Sequence, residues 1–343
     1  MGGRGAHLPR LAVTAACVAI AAFGARSAEA SCRSRTVSQR STLPGCQLAD
    51  ATRDCQTCGK PLYWPTRCVG YSIEVTQVKS LAGDDVKKLV DDAFARWTSV
   101  TCAGQGGRVE NVSIDARDLG PVDCREGFQV GKPSHNPVMF QDRAWPYAAA
   151  TTGGIAIDSD TLALTTLRFD KETGEIFGGT IELNAAQHRF EIAPEGGSDA
   201  YDLERVLTHE VGHFLGLAHS DDAASVMYWS ASAGRSRSEL SQDDIRAICD
   251  IYRAGGTRSV DPSVAKSGFV EARPCDPRPA EGFSSTCAPD APALALCNVT
   301  LPTGSDAPPA ALAATGAFLA LASLRRRART GTRGTARAPE RRD

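Results

Sequence analysis

Histidine is scarce in this chain, six among 343 residues, so any site built from several histidines must draw on a small and identifiable set. Charge of one sign is missing too: 38 Lys and Arg stand against 40 Asp and Glu, a net charge of −2, which speaks against the bulk basic character of a nucleic-acid binder. No apolar run reaches the roughly 20 residues that a membrane-crossing helix prefers. No internal repeat is present, which removes solenoid and propeller architectures. With 42% hydrophobic residues, the chain can still bury one sizeable core with appendages.

What is present is concentrated between Thr208 and Ser220, read as Thr-His-Glu-Val-Gly-His-Phe-Leu-Gly-Leu-Ala-His-Ser. On a helix, His209 and His213 project from one face, so both imidazoles reach a single metal ion. Glu210 stands about 100° further round, poorly placed as a ligand but able to meet a water on the metal, which suits a general base. Gly216 can end the helix in the left-handed conformation and let the chain fold back to bring His219 to the metal. Three neutral imidazoles and one open position make the ligand set of catalytic zinc, whereas structural zinc takes four protein ligands rich in cysteine.

The two ends carry targeting signals. Residues 1–30 read as a secretory signal: Arg4 and Arg10 precede an apolar run over 11–23, and Ala28-Glu29-Ala30 supplies small residues for cleavage. Of twelve cysteines, Cys17 leaves with the signal, and the other eleven read first as disulfides in an oxidising compartment. Cys102 and Cys124 flank a polar loop and could close it, although pairing is not readable from sequence. Near the C-terminus, residues 308–324 are apolar and uncharged, with Arg325, Arg326, Arg327 and Arg329 following at once. That pattern resembles the C-terminal sorting signals of some Gram-negative bacteria, notably the myxobacterial type, and also suits a tail anchor with the arginines on the cytoplasmic side.

Between the ends, the chain divides into a cysteine-rich segment over 31–60, a main domain over 61–254, a Pro/Ala/Ser-rich stretch over 255–307 and the tail over 308–343. Alternation predicts strands over 71–75, 138–140, 162–169 and 180–183, with a turn over 170–174. Helical spacing follows Gly83, with Val86, Leu89, Val90, Ala93, Phe94 and Trp97 on one stripe. Leu203, Val206 and Leu207 anchor the histidine helix, and Ser241-Gln242-Asp243-Asp244 opens a further one. Asp158, Asp160, Asp170, Glu172 and Glu175 offer hard oxygen ligands for calcium, with solvated loop carboxylates as the default reading.

The extended histidine motif followed by Met227 resembles the metzincin pattern, and within it the matrixins. Ser220 after the third histidine, Met227-Tyr228, and residues 240–245 with Ile251-Tyr252 carry that likeness, which runs over roughly 61–253. Trp229 stands where matrixins commonly have proline. The resemblance implies an α+β fold: a twisted, mixed, mostly parallel sheet with an antiparallel edge strand, an active-site helix and a C-terminal helix. It implies one catalytic Zn2+ on His209, His213 and His219, Glu210 as base, Gly216 at the fold-back and Met227 as an apolar floor. Outside the motif and the signal only His135 and His188 remain, too few for a three-histidine structural zinc site. By the same resemblance one of the strands over 162–169 or 180–183 is a sheet edge to which a peptide substrate adds. Cys58-Gly59-Lys60-Pro61 resembles the inhibitory Cys-Gly-x-Pro of matrix metalloprotease propeptides, with an ordinary disulfide as the alternative. The expected function is an exported or surface-held zinc endopeptidase acting on protein or peptide; the competing class is a non-catalytic envelope-binding or adhesion protein on the same fold.

Overall fold

The computed structural model describes residues 32–37, 58–74, 81–104, 107–125, 132–147, 150–152, 155–157, 160–234, 236–287 and 333–339. The signal sequence, the calcium candidate Asp158 and the apolar run over 308–324 lie outside them. Among the described residues no helix is long and apolar enough to cross a membrane.

Six strands form the main sheet: β1 (Cys68–Glu74), β2 (Asp115–Val122), β3 (Pro137–Phe140), β4 (Ala163–Asp170), β5 (Ile176–Leu183) and β6 (Arg333–Pro339). Their order is β2-β1-β3-β5-β4-β6. Pairing is parallel from β2 through β1 and β3 to β5, and antiparallel between β5 and β4 and between β4 and β6. The predicted strands are present, and β5 begins at Ile176, earlier than its sequence suggests. Gly178-Gly179 hides that strand, because glycine pairs read as turns. The reason for glycine is packing: a Cβ on Gly179 would sit 2.7 Å from the Phe214 ring.

The β4–β5 hairpin turns on Asp170, whose Oδ1 accepts from the backbone amides of Glu172 at 2.8 Å and Thr173 at 3.0 Å, while Glu175 pairs with Arg273. These carboxylates therefore have local structural partners, and among the described residues the only group of three or more convergent potential metal ligands is the three histidines.

Helix α1 (Gly83–Thr98) buries the predicted stripe and carries Asp84 and Asp85 in its first turn, where negative charge offsets the helix dipole. Its Phe94 stacks on Tyr71 of β1 with centroids 3.9 Å apart, and its Trp97 indole donates to the Thr208 carbonyl at 2.8 Å. Sheet and histidine helix thus share one hydrophobic core.

The cysteines pair otherwise than adjacency suggested. Cys102 joins Cys249 and Cys124 joins Cys287, while Cys68 joins Cys275. The loop between Cys102 and Cys124 is not closed on itself; each cysteine reaches a partner distant in sequence that the tertiary fold brings within disulfide range. Residues 252–287, which take in the described part of the Pro/Ala/Ser-rich stretch, are folded onto the domain. They form a small antiparallel sheet (252–253, 257–259, 269–271) tied to the core by two of these bridges. Arg258 is buried there and donates to the carbonyls of Trp64, Thr66 and Ser113 at 2.8, 2.6 and 3.0 Å. Burial depresses its guanidinium to about 10.

Candidate metal centre

Helix α2 (Leu203–Phe214) starts at Asp202, whose side chain accepts from the Glu204 amide, and buries Leu203, Val206 and Leu207 as the apolar pattern demands. Its last carbonyls are not left unpaired: the Trp64 indole donates to Phe214 O at 2.7 Å and the Tyr252 hydroxyl to Leu215 O at 2.7 Å. Gly216 then takes φ 95°, and the chain folds back so that Leu217 N donates to Gly212 O at 3.0 Å. His219 follows on the return.

The fold-back brings three ring nitrogens together. Nε2 of His213 stands 3.0 Å from Nε2 of His209 and 3.2 Å from Nε2 of His219. Nδ1 of His209 faces the Val226 carbonyl at 2.7 Å, and Nδ1 of His213 faces the Leu217 carbonyl at 2.9 Å. A carbonyl only accepts, so in both rings Nδ1 donates and Nε2 turns its lone pair to the centre. Burial first, then the neighbouring histidines and Arg205, hold His209 well below the usual imidazole range; burial and His219 do the same for His213. Neutral lone pairs converging this closely repel one another unless a cation lies among them. Two nitrogens bound at about 2.05 Å to one tetrahedral ion stand roughly 3.3 Å apart, so the donor set fits zinc.

Glu210 is fully buried on the same helix, and the Thr165 hydroxyl of β4 donates to its Oε2 at 2.5 Å. Met227 is buried against α2 so closely that a Cβ on Gly212 would meet its sulfur at 2.3 Å. The turn that carries Met227 is held by Asp244 at the start of α3 (Gln242–Ile251). The Asp244 carboxylate accepts from the Ser225 hydroxyl and from the amides of Val226 at 2.9 Å, Met227 at 3.3 Å and Ser241 at 2.7 Å. Through Val226 that anchor reaches the His209 ring. Ser220, directly after His219, donates to Asp243 at 2.7 Å.

The three expected histidines converge, Glu210 lies on the same helix as two of them, Gly216 makes the fold-back, and Met227 packs on Gly212. Three contributors carried no usable signal. Asp244 reads from sequence only as a helix cap, and Thr165 only as a strand residue. The segment around Ser34 is the third: Ser34 N and Oγ donate to Gly216 O and Leu217 O, both at 2.9 Å, and Ala218 N donates to Cys32 O at 2.9 Å. It braces the loop that presents His219 from more than 180 positions away. Cys58 is disulfide-bonded, so it offers no thiolate to cap a metal and the inhibitory-cysteine resemblance does not hold in this state.

A mostly parallel sheet with an antiparallel strand, packed on a helix that supplies two of three convergent histidines and a buried glutamate, defines a metzincin-type metalloprotein. The chain belongs to the matrixin family, whose description, Matrixin, matches residues 63–253. It is 29% identical over 197 residues to Metalloendoproteinase 1-MMP of Arabidopsis thaliana, covering 57% of this chain and 45% of that protein. It is 26% identical over 223 residues to Matrix metalloproteinase-C of Caenorhabditis elegans, covering 63% and 33%. With interstitial collagenase of Bos taurus it shares 28% over 222 residues, covering 61% and 36%. The chain thus spans less than half the length of these relatives.

Proposed function

We propose that the protein is an exported, zinc-dependent endopeptidase. The observation that carries the reading is the convergence of the His209, His213 and His219 nitrogens, with the buried Glu210 on the same helix as two of them. His209, His213 and His219 would hold one zinc ion, which when bound supplies Lewis-acid chemistry that acidifies water and polarises a carbonyl. Glu210 holds the proton taken from the attacking water on a carboxylate oxygen and returns it to the departing amine nitrogen. Met227 keeps water from the underside of the centre. An extended peptide would take the outer edge of β4, which β6 covers in this structure, so that main-chain pairing gives affinity and side-chain pockets give selectivity. Trp229, partly exposed after the methionine turn, suits a wall of such a pocket. Export is supported by the three long-range disulfides, which persist in oxidising compartments, together with the N-terminal signal pattern.

The test is Glu210→Ala. The variant should retain one zinc per chain, while chelator-sensitive cleavage of a diverse peptide library falls by about 10²- to 10⁴-fold. A variant that binds zinc and cleaves at the wild-type rate would remove the base from the mechanism. Wild-type protein that holds one zinc and cleaves no peptide would favour a binding or adhesion role instead.

A further inference from the structure

Glu210 is long, with three rotatable bonds, and proton transfer requires its carboxylate to be held within about 0.5 Å of the position from which it reaches the water it serves. The sheet supplies one such restraint from outside the helix that carries it. Thr165 lies in β4, paired across to Ile181 of β5 and to Ala338 of β6, so its backbone is held from both sides. It is 1% exposed, and its β-branched side chain has little χ1 freedom. Its Oγ1 is 2.5 Å from Glu210 Oε2 and 3.2 Å from the Glu210 backbone carbonyl. A hydroxyl has one proton to give, and the shorter contact, in the range of a hydroxyl–carboxylate bond, takes it.

We propose that Thr165 is a positioning residue for the peptidase reaction: its hydroxyl fixes the Glu210 carboxylate in the orientation from which it accepts and returns the proton. The inference rests on the endopeptidase reading above. Thr165 touches neither zinc ligand nor substrate in this role, and acts only through Glu210. A purely architectural threonine, tying β4 to α2 through the Glu210 carbonyl, would affect stability and leave turnover alone.

The two roles separate in steady-state kinetics of the zinc-loaded full chain. Thr165→Val keeps the shape and removes the hydroxyl, and its kcat should fall about tenfold to a hundredfold. KM and the zinc dissociation constant, read by chelator competition, should stay within about twofold of wild type. Thr165→Ser should recover kcat to within about threefold, and Thr165→Ala should behave as Val, so the Ser–Ala pair decides the matter if Val disturbs folding. A crystal structure of zinc-loaded Thr165→Ala should show the Glu210 side chain in more than one rotamer. The inference is overturned if the hydroxyl-free variants keep wild-type kcat, if Ser is as impaired as Ala, or if the loss follows zinc release. Wild-type protein without chelator-sensitive cleavage would overturn the endopeptidase reading itself, and Thr165 would fall with it.

Discussion

Glu210 and Asp244 are both buried carboxylates, one on the histidine helix and one holding the turn whose Val226 carbonyl faces His209, and their surroundings divide the labour between them. Asp244 takes hydrogen bonds from one hydroxyl and three backbone amides, which leaves it no capacity for chemistry and makes it a structural knot. Glu210 lies on the helix that carries two of the histidines and accepts from the Thr165 hydroxyl of β4. Replacing Asp244 by Ala removes the acceptor of the buried Val226 amide and Ser225 hydroxyl and of the half-buried Ser241 amide, while Met227 N keeps Ser225 Oγ at 2.8 Å, so Asp244→Ala should lose about 3 kcal/mol of stability. Because Val226 holds the His209 ring, the same variant should bind zinc more weakly. Urea unfolding with a zinc titration checks both; full stability with unaltered affinity would show that the turn holds itself. Glu210 was legible in the sequence because its offset from two histidines has a chemical meaning. Asp244 and Thr165 were not, since their roles depend on partners contributed by other elements.

Among the elements, α2 is where pattern and structure agree most fully: its apolar anchor, its ligand spacing and its glycine exit are local properties of one stretch of chain. Its neighbours impose constraints that the helix does not announce. Gly212 lies between the two helical histidines, where a Cβ would meet Met227 Sδ at 2.3 Å and the Trp97 ring at 2.9 Å. Gly212→Ala should therefore lose about 1–3 kcal/mol through overpacking, despite alanine's better helix propensity. Thermal unfolding measures the sign: a more stable alanine variant would mean that Met227 and Trp97 yield freely. The β4–β5 hairpin shows the opposite case, a strand disguised by Gly178-Gly179 because the requirement for glycine comes from Phe214 in α2.

For the molecule as a whole, the disulfides and the chain ends matter most. Cys68–Cys275 closes a separation of 207 residues and Cys124–Cys287 one of 163. Replacing Cys68 and Cys275 together by serine should cost about 2–5 kcal/mol, visible as a lower thermal midpoint under non-reducing conditions. An unchanged midpoint would mean that Arg258, the small sheet and Cys124–Cys287 hold the segment without this bridge. The backbone of β6 pairs with β4 from Leu164 to Asp170, the edge to which an extended peptide would add. A chain ending at residue 332 should then show a lower KM for peptide substrates at unchanged kcat; equal KM values would show that β6 does not obstruct the edge. That pairing sets residues 333–339 beside the catalytic sheet, whereas an anchor spanning 308–324 would put them across a membrane.

By itself the sequence determined which three histidines converge, the glutamate between two of them, the glycine fold-back and the amphipathic helices, because each depends on periodicity or on spacing within about a dozen residues. Tertiary structure alone decided the three described cysteine pairings, the bracing of the His219 loop by Ser34, the Asp244 anchor and the Thr165 contact to Glu210. Those contacts join residues far apart in the chain, and no local propensity encodes which strand edge, turn or carbonyl a side chain will meet once the core has closed.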